Sequence, residues 1–217
     1  MLEQRINQLK KQLIKMGNRV ENMVEKSIEG LFENDAERLQ SILEEDEPVV
    51  NQKEIEIEKM ATGLIAVLHP EAKYLRTILM VIKIVNDLER IGDLAVNISQ
   101  SSQRLLKEND FKAPEELKNL AKTVVSMLRD AMKSFIEENS ILAKEVLKRD
   151  DEADELRDRV YNLSIQKMKE SPENVEKYFA LARMAHDLER IADLSTNTCE
   201  DVIYIVEGLI VKHTRLD

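Results

Sequence analysis

The feature that most constrains this chain is an internal duplication. The octapeptide DLERIGDL at residues 87–94 returns as DLERIADL at residues 187–194, so seven of its eight residues are the same. A shorter echo precedes it, because HPEA (69–72) corresponds to SPEN (171–174). The chain is therefore predicted to be a tandem duplication with a repeat of about one hundred residues.

Each half is predicted to contain three long helices. Apolar residues near the N-terminus recur at alternating intervals of three and four residues, which is typical of an amphipathic helix, and the pattern returns 104 residues later. Prolines stand at or near the predicted helix starts, where a missing N–H costs nothing. We expect an all-α fold of two three-helix bundles, residues 1–108 and 109–217. The helices, the second one broken near Pro48, are predicted at 3–33, 36–68, 71–107, 114–138, 140–170 and 173–209.

Composition excludes several classes of protein. The net charge is −10 and no cluster of Lys and Arg is present, so nucleic-acid binding is not expected. The single cysteine rules out an intrachain disulfide and favours a reducing compartment. No apolar run approaches the roughly 18 residues that span a bilayer, and the first residues lack the apolar segment of a signal peptide. These features predict a cytoplasmic protein.

The duplicated octapeptide carries a pattern of oxygen-bearing side chains. On a helical wheel, a Glu, an Asp and an Asn at four-residue intervals lie within about 80° of one another, opposite the apolar arc that should face the bundle interior. Two carboxylates at i and i+4 repel each other and destabilise a helix slightly, so their repetition calls for a reason. The residues are Glu89, Asp93 and Asn97 in the first copy and Glu189, Asp193 and Asn197 in the second.

The helix before each octapeptide carries a second polar stripe. Antiparallel neighbours in a bundle can bring two such stripes together, which would place four or more oxygen ligands in one surface patch per half. Oxygen-only clusters favour hard cations such as Mg, Ca, Mn or ferric iron. The stripes are Glu47, Asn51, Glu54 and Glu58 in the first half and Asp150, Asp154 and Asp158 in the second.

Two simpler interpretations stay open for these residues. Acidic stripes on helix faces are commonly only solvated, and the octapeptide also contains core residues such as Leu88 and Ile91 that packing alone would preserve. Among the other potential ligands, His186 lies three residues before Glu189 and could join a site. Cys199, on a bundle helix, is expected to be an inert small apolar residue.

The same residues resemble a known family. Tandem three-helix repeats whose third helix carries D-L-E-R-I-x-D look like PhoU proteins, which are phosphate-signalling regulators of bacteria. The supporting stretches are HPEAKYLRTI and KIVNDLERIGDLAVNI in the first half and LARMAHDLERIADLSTN in the second. The resemblance implies surface pairs of carboxylates that hold a multinuclear metal cluster, iron first, with Zn, Mn, Mg or Ni as alternatives. The pairs fall on Glu89 with Asp93 and on Glu189 with Asp193.

The resemblance also indicates where the two sites differ. Position 51 is Asn where the family commonly has Asp, and Arg157 stands at the repeat position of Glu54. The two sites are therefore expected to differ in ligand count and in metal occupancy.

The resemblance further implies a function. It predicts a negative modulator of phosphate uptake and of the phosphate-starvation response, acting between a phosphate ABC transporter and a sensor histidine kinase. It also implies a homodimer that reaches the membrane only through its partners. One alternative is a carboxylate-bridged metalloenzyme, but such bundles use Glu-x-x-His pairs, which this sequence lacks, so no catalysis is expected. The other alternative is a plain helical scaffold for protein interactions.

Overall fold

The computed structural model describes residues 2–108 and 111–211. These residues are helical apart from short turns, and no strand occurs among them, which confirms the all-α prediction. The six predicted helices are present, the second and fifth of them divided into two segments. The α-helices are α1 (Leu2–Phe32), α2 (Ala36–Ser41), α3 (Glu47–Leu68), α4 (Ala72–Leu105), α5 (Glu115–Glu137), α6 (Ser140–Leu147), α7 (Asp150–Glu170) and α8 (Val175–Glu207).

The two divided helices are interrupted in different ways. In the first repeat α2 runs into a π-helical turn, Ile42–Asp46, before α3 begins, and Pro48 lies in the first turn of α3. The break predicted near Pro48 is therefore a π-helical turn just before it, through which the chain stays helical. In the second repeat a turn at residues 148–149 separates α6 from α7, although helix 140–170 was predicted to be continuous. This break has no Gly or Pro, and the Arg149 guanidinium instead donates to the Asp130 carboxylate at 2.8 Å, so a tertiary contact accompanies it.

The two repeats pack against each other along their long helices. In the first repeat α4 lies against α1 and α3, and in the second α8 lies against α5 and α7. α4 and α8 also pack together, as do α1 and α5. Lys10 near the start of α1 pairs with Glu138 just after the end of α5, which shows that these two helices are antiparallel. At their crossing a Cβ on Gly17 would lie 2.5 Å from the Met132 methyl, so glycine permits this close approach.

The core confirms which face of the octapeptide helix is buried. The arc of apolar residues predicted from the helical wheel is fully buried in α4, and the octapeptide of α8 buries its matching residues. No helix in residues 2–108 or 111–211 combines the length and the apolar character that crossing a bilayer demands. The buried arc in α4 comprises Ile84, Leu88, Ile91, Ala95 and Ile98.

Candidate metal centre

The bundle places each octapeptide beside the polar stripe predicted to face it. α4, with the first octapeptide, packs against α3, and α8, with the second, packs against α7. The helical wheel predicted that the carboxylates face away from the core into water. The structure agrees for Asp93 and Asp193, which are exposed. It corrects the expectation for the glutamates, because the Glu89 side chain is half-buried and the Glu189 side chain is only 15% exposed. A wheel represents one helix, whereas here the neighbouring helix covers the face opposite the core.

In the first repeat, the carboxylates of α3 and α4 lie close enough to repel one another. Burial, and then the charges of Asp93 and Glu54, raise the pKa of Glu89 above its ordinary value, and Arg90 offsets this only in part. Burial, and then Glu58 and Asp93, raise the pKa of Glu54. The carboxylates of α3 and α4 therefore repel one another across the contact between the two helices.

Within the described ranges, this first acidic cluster has no close counter-ion. Among the residues that the structure describes, no Lys, Arg or His nitrogen lies within 4.0 Å of the Glu54, Glu58, Glu89 or Asp93 carboxylates. The charge of Glu47 adds to the repulsion at Glu89. The remaining predicted ligands of this repeat, Asn51 and Asn97, occupy half-buried positions on α3 and α4.

In the second repeat, an arginine lies between the two stripes. The Arg157 Nη1 atom donates to Asp154 Oδ1 and to Glu189 Oε1, both at 2.8 Å, and so joins α7 to α8. Its Nη2 atom donates to Asp158 Oδ1 at 2.9 Å. The Arg157 side chain is 20% exposed, so the guanidinium is a partly buried counter-ion.

Other carboxylates of the second repeat still repel one another. Burial, followed by the charges of Asp193 and Asp154, raises the pKa of Asp150 to about 6. Burial, followed by the charges of Glu189 and Asp154, raises the pKa of Asp193, and Arg157 acts in the opposite direction. Asn197 is half-buried on α8. The Arg157 guanidinium therefore pairs with Glu189 and Asp154 directly, and its contacts among the described residues do not include Asp150.

Two residues outside the stripes complete the surroundings. The second carboxylate oxygen of Glu189, Oε2, is buried without a hydrogen-bond partner, and His186 Nδ1 lies 3.4 Å from it. Cys199 is fully buried, and burial raises its pKa to about 12, so its thiol stays protonated, consistent with the predicted inert role.

The donor chemistry of both stripes suits a hard cation, but the side chains do not converge on one point. In the described part of the chain, no three His, Cys, Asp or Glu side chains are arranged so as to hold an ion. Carboxylates of the first cluster would have to turn about their side-chain bonds to meet a metal. In the second stripe a metal would also have to displace Arg157. The sequence already indicates this difference between the two repeats, because Arg157 stands at the repeat position of Glu54.

Comparison with known proteins matches the two repeats separately. A family model described as the PhoU domain matches residues 13–102 and again 117–202. A phosphate-specific transport system accessory protein PhoU homolog from Clostridium acetobutylicum is 34% identical over 95% of this chain and 94% of its own length. The homolog of the same name from Aquifex aeolicus is 34% identical over 97% of this chain and 95% of its own.

Solved structures agree with these matches. The crystal structure of PhoU from Pseudomonas aeruginosa superimposes with a TM-score of 0.92 at 27% identity, covering 96% of this chain and all of that one. A second similar structure, the phosphate transport system regulatory protein PhoU from Streptococcus pneumoniae, has a TM-score of 0.91 at 24% identity and supports the fold.

Proposed function

Because the chain belongs to the PhoU family, we propose that it regulates phosphate uptake as an accessory protein of a phosphate-specific transport system. One observation carries this proposal. The duplicated octapeptide lies on the central helix of each repeat, in a chain that aligns over nearly its whole length with relatives that bear this name. Those names describe an accessory protein, which supports a regulatory and not a catalytic role.

The proposed action is negative regulation at the cytoplasmic face of the membrane. When phosphate is plentiful, the protein holds a sensor histidine kinase in its repressing state through contact with the phosphate ABC transporter. The protein acts as a homodimer and meets the membrane only through these partners. Its net charge of −10 supports protein partners over nucleic acid or an anionic lipid surface.

We also propose that the first repeat binds metal, preferably as a multinuclear iron cluster. Glu54, Glu89 and Asp93 would supply the main ligands, with Glu47 and Glu58 close by. A bound cation supplies positive charge to this cluster. The carboxylates would then hold α3 and α4 together through the ion instead of repelling across their contact. The second repeat, through Asp150, Asp154, Glu189 and Asp193, would bind more weakly because Arg157 must first leave.

Gene deletion tests the regulatory proposal. In a strain without a second copy of the family, deletion should leave phosphate-responsive genes switched on in high phosphate, and a plasmid copy of the wild-type gene should restore repression. A transcript or reporter measurement in high and low phosphate gives the answer. Normal repression in the deletion strain would remove the functional assignment while leaving the fold unaffected.

A further inference from the structure

A surface groove runs between the first helices of the two repeats, away from the acidic stripes. It is formed by the outer faces of α1 and α5 and has a volume of about 580 Å³. Its apolar lining comes from both helices and consists of Ile28 and Phe32 in α1 and Ala121 and Val125 in α5. The groove lies between the repeats, so neither repeat alone contains it.

The two walls of this groove carry opposite charges in regular rows. Glutamates recur at four-residue intervals along α1 and into the turn that follows it, which places them on one edge of that helix. Along α5 the facing row is basic. The acidic row is Glu21, Glu25, Glu29 and Glu33, and the basic row is Lys118, Lys122 and Arg129, all of them but Glu21 lining the groove.

Among the described residues, ion pairs join the two walls at one end of the groove but not at the other, open end. The Arg129 guanidinium donates to Glu21 and to Glu25, both at 2.6 Å, and so closes one end. At the other end the Lys118 ammonium lies 5.5 Å from the centre of the Phe32 ring. Within the described residues no ion pair joins Lys118 or Lys122 to a glutamate of the facing wall.

The glutamates at the open end keep capacity for another partner. Arg38, from α2, donates to Glu29 at 3.2 Å and to Glu33 at 2.7 Å, but these carboxylates are still 59% and 58% exposed. A carboxylate accepts several hydrogen bonds at once, so each can also receive a basic side chain from outside.

We propose that this groove binds an amphipathic helix of a partner protein. An apolar stripe of that helix would enter the floor, a Lys/Arg edge would lie along α1, and a Glu/Asp edge would lie along α5. The acidic wall from residue 25 to 33 is about 12 Å long, which accommodates roughly two turns and about three apolar side chains at i, i+3 and i+7. The proposal goes beyond phosphate regulation and does not depend on metal.

Charge complementarity selects this occupant over a second copy of the chain. The four-residue spacing of the glutamates, and of Lys118 with Lys122, matches the edge of a helix, and the opposite signs of the walls fix which edge meets which wall. A second copy would present the same concave groove and would bring no convex apolar ridge to fill it.

Two labelled peptides of identical composition test the proposal. Each is a helix of about 14 residues with Leu at i, i+3 and i+7, and they differ only in which edge is Lys and which is Glu. Fluorescence anisotropy with the full chain should show that the peptide with the matching edges binds at least about tenfold more tightly than the exchanged one.

Paired variants locate the binding. Changing Lys118→Glu together with Lys122→Glu should weaken the matching peptide at least about tenfold. Lys11→Glu with Lys15→Glu, an equal charge change on exposed residues of α1 outside the groove, should leave its Kd unchanged. Circular dichroism confirms that both variants fold.

Several results would overturn the proposal. These are absent binding, equal binding of the two peptides, or equal loss of binding in the two double variants. Sedimentation of the full chain provides a further test. A dimer that Val125→Glu converts to monomer would also overturn the proposal, because the groove would then be the contact between two copies of the chain.

Discussion

The two repeats hold the same octapeptide against different neighbours. In the first, the α4 carboxylates Glu89 and Asp93 face Glu54 of α3, and burial and mutual repulsion raise the pKa values of Glu54 and Glu89. In the second, the equivalent neighbour is Arg157, whose guanidinium bonds Glu189 at 2.8 Å. Among the described residues, the first copy is an anionic cluster that Arg90 offsets only in part, whereas the second has its counter-ion built into the chain.

This difference shows that duplicating a motif does not duplicate a site. The octapeptide supplies half of each acidic patch, and the helix packed against it decides the net charge. A single exchange of acid for base on the neighbouring helix therefore changes whether the chain itself supplies a cation to the patch. The four predictions that follow test this contrast, from the largest expected effect to the smallest.

Replacing Arg157 should give the largest loss of stability. Arg157→Met leaves the Glu189 carboxylate in a mostly buried position without its cation, and we expect the free energy of unfolding to fall by about 2 to 3 kcal/mol. Chemical denaturation of metal-free protein measures it. Asp158→Asn is the control, because Asp158 is 61% exposed and its pair should contribute less than about 0.5 kcal/mol. Equal losses in the two variants would mean that Arg157 does not compensate a buried charge.

Metal should stabilise the first repeat selectively. If Glu89 and Asp93 are ligands, Mn²⁺ at 100 times its Kd should add about 2.7 kcal/mol to the free energy of unfolding of the wild type. Glu89→Ala with Asp93→Ala should abolish this gain, whereas Glu189→Ala with Asp193→Ala should retain most of it. Titration calorimetry and metal content per chain, after purification without chelator, provide the comparison. Unchanged metal content in both double variants would place the site elsewhere, and no metal in the wild type would favour a plain scaffold.

Asp150 should give the second repeat its own pH dependence. Its pKa is raised from 3.8 to about 6, so the folded state binds a proton more tightly than the unfolded state does. Stability should therefore rise as the pH falls from 7 through 6 towards 4, by about 1 kcal/mol after allowance for solvent screening. Asp150→Asn should flatten this rise, measured as unfolding midpoints between pH 5 and 7.5. Parallel profiles for the two proteins would contradict the assignment.

Removing one charge from the first cluster should give the smallest effect, and a favourable one. Glu54→Gln relieves repulsion with Glu58 and Asp93 and should stabilise the metal-free protein by about 0.3 kcal/mol. Glu56→Gln is the matched control, two residues along α3 on its exposed side, where Lys53 already pairs with the carboxylate, and it should bring no gain. If Glu54→Gln instead lowers the free energy of unfolding, repulsion among the carboxylates of the first cluster does not destabilise the metal-free protein.

Much of the site was predictable because it depends on periodicity. Spacing decides which side chains share a helix face. The interval is four residues from Glu89 to Asp93, and it is four and then three along Glu47, Asn51 and Glu54. Antiparallel packing of neighbouring helices then made the meeting of the two stripes an expected outcome. The exchange of Glu54 for Arg157 was also visible in the sequence.

What the sequence could not provide is the depth and direction of these side chains. Nothing in a helical wheel shows that α7 covers Glu189, because coverage depends on the distance between two helices. The direction of Arg157, towards both Asp154 and Glu189, is one of several rotamers that the sequence allows equally.

By itself, then, the amino-acid sequence determined the helical class, the duplication, the family and the buried arc of each octapeptide helix, because these follow from local period, composition and recurring motifs. The tertiary structure alone decided the break at residues 148–149, the bridging position of Arg157 and the groove between α1 and α5. Each of these depends on contacts between segments far apart in the chain, such as Arg149 with Asp130 and Arg129 with Glu21. Such contacts depend on how the helices dock, which no local pattern records.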